Sequence, residues 1–291
     1  MKHLGLVIGA AGMLGTDIVR NFRKLGYTVL SPTRGEIDIS NASSLQKFIT
    51  EYRPQWVINC AAKHDLEFCE KNLNTAIEIN ANAVNTLAQI CAKINSYLIH
   101  ISTDYVFDGA KGQPYLETDE PNPLNNYGVT KLMGENFVLE KNGNALILRV
   151  AALFGSSISR DKGLHCFVDR MRQKLILGEK LTVNKKQNMS PTSTIEIANQ
   201  LISLVREQPT GIVHCVNNGF TNYYDLTYQI ARYLNFTPSR IRTQIIQGET
   251  TNWVRRPLNS ALENRRLNEL NLNSMQDWEI ALHEYLKVNT L

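Results

Sequence analysis

Short apolar runs alternate with longer stretches of helical periodicity through the first half of the chain. "LGLVIG", "YTVL", "QWVINC", "SYLIHIS" and "NALILRV" are continuous enough in apolar character to be strands covered on both faces, the mark of a parallel sheet. Between them "TDIVRNFRKLGY", "NASSLQKFITEY" and "NTAIEINANAVNTLAQICAKI" place apolar residues three and four apart, and the last two have Ser or Asn near their starts to cap a helix. Repeated strand and helix with right-handed crossovers predicts an α/β fold, a doubly wound parallel sheet. After about residue 155 the alternation loosens. "SPTSTIEIANQLISLVREQ" predicts a helix and "GIVHCV" a further strand; "YYDLTYQIARYLN" and "SMQDWEIALHEYL" predict helices around a loop-rich stretch near Arg255. The expected division is a larger domain over 1–154, to which 188–216 returns, and a smaller lobe over 155–187 and 217–291.

Composition narrows the function classes. The 291 residues are 43% hydrophobic and 20% charged, enough for an ordinary buried core. A net charge of +4, with Lys185-Lys186 and Arg265-Arg266 as isolated pairs, makes no basic stripe of the kind nucleic acid requires. Cys60, Cys69, Cys91, Cys166 and Cys215 are odd in number and lack a C-x-x-C spacing, so neither a disulfide framework nor a metal site is expected. That usage suits a reducing cytoplasm. "MKHLGLVIGAAGMLG" has the length of a signal peptide, yet it runs into a charged amphipathic helix, and no other apolar stretch approaches the ~20 residues that span a bilayer. A soluble, cytoplasmic protein with a metal-free mechanism is the expectation.

Two patterns carry chemistry. "GAAGMLG" sets Gly9, Gly12 and Gly15 between the first strand and the first helix, where a glycine backbone can approach a pyrophosphate resting on the helix N-terminus. After the second strand, "SPTRGEIDI" offers Asp38 to a ribose diol and Arg34 to a 2′-phosphate, which leans toward NADPH over NADH; Arg34 as a plain exposed loop residue is the alternative. In "NNYGVTK", Tyr127 and Lys131 lie four apart on a helix starting near Asn125, hence on one face. A phenol titrates near 10 and is a reluctant acid; an ammonium beside it lowers that value, so the pair can protonate a carbonyl oxygen as hydride reaches its carbon. Alone the pair is common. Here "ISTDYVFDG" also brings Ser102, Thr103 and Asp104 to the carboxyl edge of the sheet, where open α/β folds bind ligands. Arg256 in "VRRPLNSAL" offers a guanidinium fork for diphosphate oxygens. His64, at another strand end, reads as a solvent-facing loop residue with a place in the pocket wall as the alternative, and Trp253, Trp278 and the tyrosines of "TNYYDLTY" read as core.

Through "GAAGMLG", "STDYVFDG", "PYLETDEPNPLNNYGVTKLMGE", "SPT" and "RRPLNSAL", in this order over nearly the whole chain, the sequence resembles the extended short-chain dehydrogenase/reductases, and within them the dTDP-4-dehydrorhamnose reductase family. The resemblance implies a Rossmann-type sheet binding NADPH or NADH and a nucleotide-sugar substrate, with Tyr127 as proton donor. Lys131 would lower the Tyr127 pKa and hold the nicotinamide ribose, and Thr103 would hydrogen-bond the reacting oxygen. Gly12, Met13, Leu14, Asp38, Ile39, Ala61, Ala62, Lys63 and Tyr105 would border the cofactor, and Asp104 and Arg256 would face the sugar nucleotide. A homodimer is left open. The sequence departs from the family pattern at Arg149 to Ala152, where Arg-Thr-Ser-Trp is usual, and at "NKKQNM", where Asp-Gln-x-Gly is usual. The regulatory β subunit of methionine adenosyltransferase, which also lacks that Trp, is similar too, so a non-catalytic NADP-binding subunit is the alternative to a reductase.

Overall fold

The computed structural model describes residues 4–155, 166–236 and 254–288, together with the backbone of 241–244. Its centre is the expected parallel sheet: β1 (Leu4–Ile8), β2 (Thr28–Leu30), β3 (Trp56–Asn59), β4 (Tyr97–Thr103), β5 (Ala145–Val150) and, returning from the second half, β10 (Gly211–His214). The spatial order is β10-β5-β4-β3-β1-β2. Successive side chains of a strand point to opposite faces, and both faces are apolar. Val7, Ile99 and Leu148 pack on one side with Leu14, Ile18 and Phe22 of α1 (Met13–Lys24) and Ile197 and Leu201 of α8 (Thr194–Glu207). Leu6, Leu98 and Ile147 pack on the other with Leu45 of α2 (Ala42–Tyr52), Leu87 of α5 (Ala83–Ile94) and Val138 of α6 (Asn126–Lys141). That two-sided burial is why the strands carry near-continuous apolar runs.

Helix starts follow local capping. Asn41 accepts from Ser44 N–H at 3.0 Å, and Asn125 accepts from Gly128 N–H at 2.9 Å, which fixes the first turn of α6 just before Tyr127. The stretch expected as one helix over 74–94 is instead α4 (Leu73–Ile77), a π turn at Glu78–Asn82, and α5. The wide turn frees the Asn80 side chain, which donates to the Lys63 carbonyl at 2.9 Å and to Thr130 Oγ1 at 3.1 Å and accepts from Lys63 N–H at 2.8 Å. A short helix, α3 (Leu66–Lys71), capped by Asp65, precedes it and escapes sequence periodicity.

Beyond β5 come β6 (Leu153–Phe154), α7 (Phe167–Ile176), β7 (Leu181–Asn184), β8 (Asn188–Met189), β9 (Thr192–Ser193), β11 (Thr221–Asn222), α9 (Tyr223–Tyr233), β12 (Ile241–Gln244), α10 (Arg265–Glu269) and α11 (Trp278–Val288). These short strands pair β11 with β8, β12 with β7 and β6 with β9. A separate core of Phe154, Leu175, Ile230, Trp278, Leu282 and Tyr285 ties α7, α9 and α11 together. The last helix begins at Trp278 rather than at Ser274. Ser274 N–H and Oγ both bond Gln200 Oε1 at 2.8 Å, and Gln276 N–H bonds Glu196 Oε2 at 3.2 Å, so α8 holds that backbone extended.

Candidate active site

One cavity of about 890 Å3 runs along the carboxyl edge of the sheet, and every site residue expected from the sequence lines it. At one end lies the glycine turn. Gly9 has φ +76°, and a Cβ there would sit 2.7 Å from Ala61 N; a Cβ on Gly15 would sit 2.3 Å from the Gly9 carbonyl oxygen. Only glycine lets strand, turn and helix close this tightly. Gly12 caps α1 with no side-chain bond, so its first turn, with Met13 and Leu14, opens onto the cavity. Beside it Asp38 accepts from Ser40 N–H at 3.0 Å and from Ser40 Oγ at 2.7 Å; these bonds lead in holding its carboxyl below the usual range. Arg34 Nε lies 3.5 Å from Asp38 Oδ2 on the exposed rim. Ile39, Ala61, Ala62 and Lys63 continue the wall.

At the other end the polar groups are buried. Thr103 Oγ1 donates to Asp104 Oδ1 at 3.0 Å and accepts from Tyr105 N–H at 3.2 Å, and the half-buried Tyr127 lines the cavity with them. The rings of Tyr105 and Tyr127 meet edge to face at 6.1 Å. Burial pushes Tyr127 upward, outweighing Thr103, with Asp104 and Cys69 adding to the rise. Burial also raises Asp104 to about 6, against hydrogen bonds from Ser260 and Thr103. Lys131 Nζ donates to the Ile101 carbonyl at 2.7 Å and lies 3.1 Å from His100 Nε2. Lys131 Nζ is therefore held beneath the pair, and burial is the leading influence on the phenol. The phenol stays protonated through neutral pH, the form an acid needs.

Other residues enter that sequence reasoning did not place here. His64, for which the sequence favoured a solvent-facing loop over the pocket wall, is half-buried and lines the cavity. Tyr223, expected as plain core, packs on Phe167 with ring centroids 4.8 Å apart and planes tilted by 60°, and forms cavity wall with Arg170, Met189 and Ser260. Trp278 is core as expected. Trp253 lies outside the described residues. Arg149 is buried against Glu135, with Nε at 3.0 Å and Nη2 at 2.7 Å from its carboxylate oxygens, and Ala152 takes φ +41° where the family's Trp would stand. A lone polar residue inside an apolar strand, His100 in "LIHIS", was the one signal that could have marked the floor of the site.

Comparisons with known proteins agree with this fold. The profile of the RmlD substrate binding domain family matches residues 3–290. The chain is 34% identical over 287 residues to a dTDP-4-keto-6-deoxy-D-glucose reductase of Streptomyces niveus, covering 97% of this chain and 96% of that one. It is 30% identical over 302 residues to methionine adenosyltransferase 2 subunit beta of Bos taurus, covering 97% of this chain and 86% of the relative. The crystal structure of dTDP-4-dehydrorhamnose reductase from Bacillus anthracis in complex with NADP superposes with a TM-score of 0.92 at 27% identity, covering 99% of this chain and 100% of that one. Among the described residues no helix is long and apolar enough to cross a membrane. With a family match over nearly its whole length, the chain belongs to the RmlD substrate binding domain family, the dTDP-4-dehydrorhamnose reductases of the extended short-chain dehydrogenase/reductases.

Proposed function

We propose that this protein reduces the 4-keto group of a dTDP-linked 6-deoxy sugar, dTDP-4-dehydrorhamnose to dTDP-rhamnose, with NADPH or NADH as the reductant. The observation that carries the reading is that half-buried Tyr127 and buried Thr103 line the same cavity as a glycine turn with no room for a Cβ at Gly9 or Gly15. That turn and the open first turn of α1 fit a dinucleotide: Gly9, Gly12, Met13, Leu14 and Gly15 would take the pyrophosphate, and Asp38, Ile39 and Arg34 the adenosine end. Ala61, Ala62, Lys63 and Tyr105 would border the rest, with Lys131 at the nicotinamide ribose. When bound, the cofactor supplies the hydride.

The remaining chemistry belongs to the chain. Tyr127, kept neutral by burial, gives its proton to the carbonyl oxygen, and Thr103 holds that oxygen as charge develops on it. Asp104 and Arg256, which line the cavity, would face the sugar nucleotide, the Arg256 guanidinium meeting diphosphate oxygens. Residues 1–154 and 188–216 would bind the dinucleotide, and 155–187 and 217–291 the substrate; β10 in the main sheet and the separate core of α7, α9 and α11 support that division. The test is to incubate the purified protein with NADPH and a panel of nucleotide 4-keto sugars while following the absorbance of the reduced nicotinamide. Consumption that depends on a dTDP-4-keto-6-deoxy sugar is expected. NADPH binding without reduction of any sugar in the panel would favour the second reading, a cofactor-binding regulatory subunit, which the similarity to methionine adenosyltransferase 2 subunit beta supports.

A further inference from the structure

Beneath Lys131 runs a chain of buried polar groups that the proposed reaction leaves unused. Asn59 at the end of β3 and His100 in β4 are fully buried, and Lys131 is 1% exposed. Ala61 N–H donates to Asn59 Oδ1 at 3.1 Å. Asn59 Nδ2 lies 3.1 Å from His100 Nδ1, and His100 Nε2 lies 3.1 Å from Lys131 Nζ. Nζ in turn donates to the Ile101 carbonyl at 2.7 Å.

The donors and acceptors of this chain fit together in one way. A backbone N–H requires an acceptor, so Ala61 fixes which end of the Asn59 amide carries oxygen and turns the amide nitrogen, a donor, toward His100. His100 Nδ1 must then accept. Burial and the nearby lysine push the imidazole pKa far down, so the ring is neutral, and its single proton sits on Nε2. That N–H points at Lys131 Nζ. An ammonium offers only donors there, whereas an amine offers a lone pair. The opposite tautomer would set two donors face to face at Asn59, or turn its amide and strip Ala61 N–H of its acceptor.

We infer that His100, locked as the Nε2–H tautomer by Asn59 and Ala61, is a positioning residue that stabilises the amine form of Lys131. The other titratable groups facing Nζ are Cys60 at the end of β3 and Glu135 on α6. Burial pushes the Cys60 thiol up to about 12, so it stays neutral, and Glu135 is committed to Arg149. Burial brings Lys131 down to about 8 against the pull of Glu135, and the His100 N–H acts in the same direction as burial. Reduction draws a proton into the site at every turnover. A lysine that titrates near the working pH can exchange that proton, and one that is permanently charged cannot.

The first test needs no substrate. Nitrogen-15 spectra of the histidine rings, with His100 assigned in the wild-type protein by through-bond correlation of its ring to its own backbone, should show a neutral Nε2–H ring throughout the neutral range; an Nδ1–H ring or an imidazolium would overturn the proposal. The second follows the Lys131 Cε resonance, assigned by Lys131→Met, through a pH titration. In His100→Gln the side-chain oxygen can accept from the ammonium, so the midpoint should rise by about one unit. An unchanged midpoint in the folded variant sinks the idea, and if that variant does not fold, the ring tautomer of the wild-type protein still decides. The catalytic consequence rests on the role proposed above for Lys131. The alkaline limb of kcat/KM should move up with the amine, and if the amine moves while the limb stays, the lock on Lys131 stands and its part in catalysis falls.

Discussion

The two ends of the cavity are built by opposite means. The end at the glycine turn is made of backbone: Gly9, Gly12, Gly15 and the first turn of α1 leave main-chain groups bare, and its charged side chains, Arg34 and Asp38, stay at the rim. The end at Tyr127 is made of buried side chains, where Thr103, Asp104, Lys131 and His100 are each at most 6% exposed. A pyrophosphate has fixed charge and shape, so a cradle of amides and a helix end suffices for it. Proton transfer requires groups whose acidity differs from that in water, and burial is what changes it. Substitutions at one end should therefore change binding, and at the other chemistry.

The largest effect should come from Tyr127→Phe. It removes one hydroxyl at the buried end, so turnover of a 4-keto sugar nucleotide should fall by about 10²- to 10⁴-fold, the share of general acid catalysis. NADPH affinity, measured by calorimetry, should hold. Turnover at the wild-type rate would remove Tyr127 from the chemistry, and a matching loss of NADPH affinity would erase the contrast between the ends.

The same contrast explains what the sequence discloses. The glycine turn, the caps at Asn41 and Asn125 and the Tyr127–Lys131 spacing are local, since each depends on residues within one turn or strand end. Alternation of apolar runs likewise reveals the parallel sheet, because both of its faces are covered. The floor and far wall are not local. His100 meets Lys131 across 31 positions, Asn80 reaches Thr130 across 50, and Ser260 and Tyr223 join the wall from the second half of the chain. The π turn that aims Asn80 inward has the same apolar spacing as the helices around it, so periodicity passes over it. The missing family Trp is legible as a departure, but what stands around its place, Tyr223 on Phe167, depends on tertiary packing.

Next in size is Gly15→Val, which tests the backbone end. The new Cβ would meet the Gly9 carbonyl oxygen at 2.3 Å and Ala10 Cα at 2.8 Å, both main chain, so the turn must move. Overpacking of this kind costs about 1–3 kcal/mol, and displacing the cradle should raise the NADPH dissociation constant by about 100-fold or more. An unchanged constant in a folded variant would mean that the turn does not carry the pyrophosphate.

Asp104→Asn sharpens the comparison through pH. Burial raises the folded-state value of Asp104 to about 6 from 3.8. The folded protein therefore takes up the proton first, and as pH rises from about 4 to about 6 the wild type loses stability that Asn, which mimics the protonated acid, keeps. Urea unfolding at pH 8 should find the variant about 1–3 kcal/mol more stable, with the advantage shrinking below pH ~6 and gone near pH ~4. Activity should fall if Asp104 meets the sugar nucleotide. Equal stability of the two proteins at pH 8 would show that the carboxylate is not held at a cost.

Arg34→Ala should have the smallest effect, and its sign across two cofactors is what matters. The Arg34 side chain is 80% exposed and its partner Asp38 lies 3.5 Å away, so neither is desolvated and any charge contact there is screened. If the guanidinium meets a 2′-phosphate, its loss should weaken NADPH by about 1 kcal/mol, roughly fivefold, at low salt. The same change removes the pairing that holds one side of Asp38, whose carboxylate keeps both hydrogen bonds from Ser40 and remains placed for a ribose diol. NADH should therefore bind Arg34→Ala as well as it binds the wild type, and the ratio of the two dissociation constants should drift toward NADH. Raising the salt should shrink the wild-type preference toward that of the variant, since a rim charge is screened where the buried groups at Tyr127 are not. A fall of the same size for both cofactors would place Arg34 in the support of the loop, and no fall for either would return it to the surface.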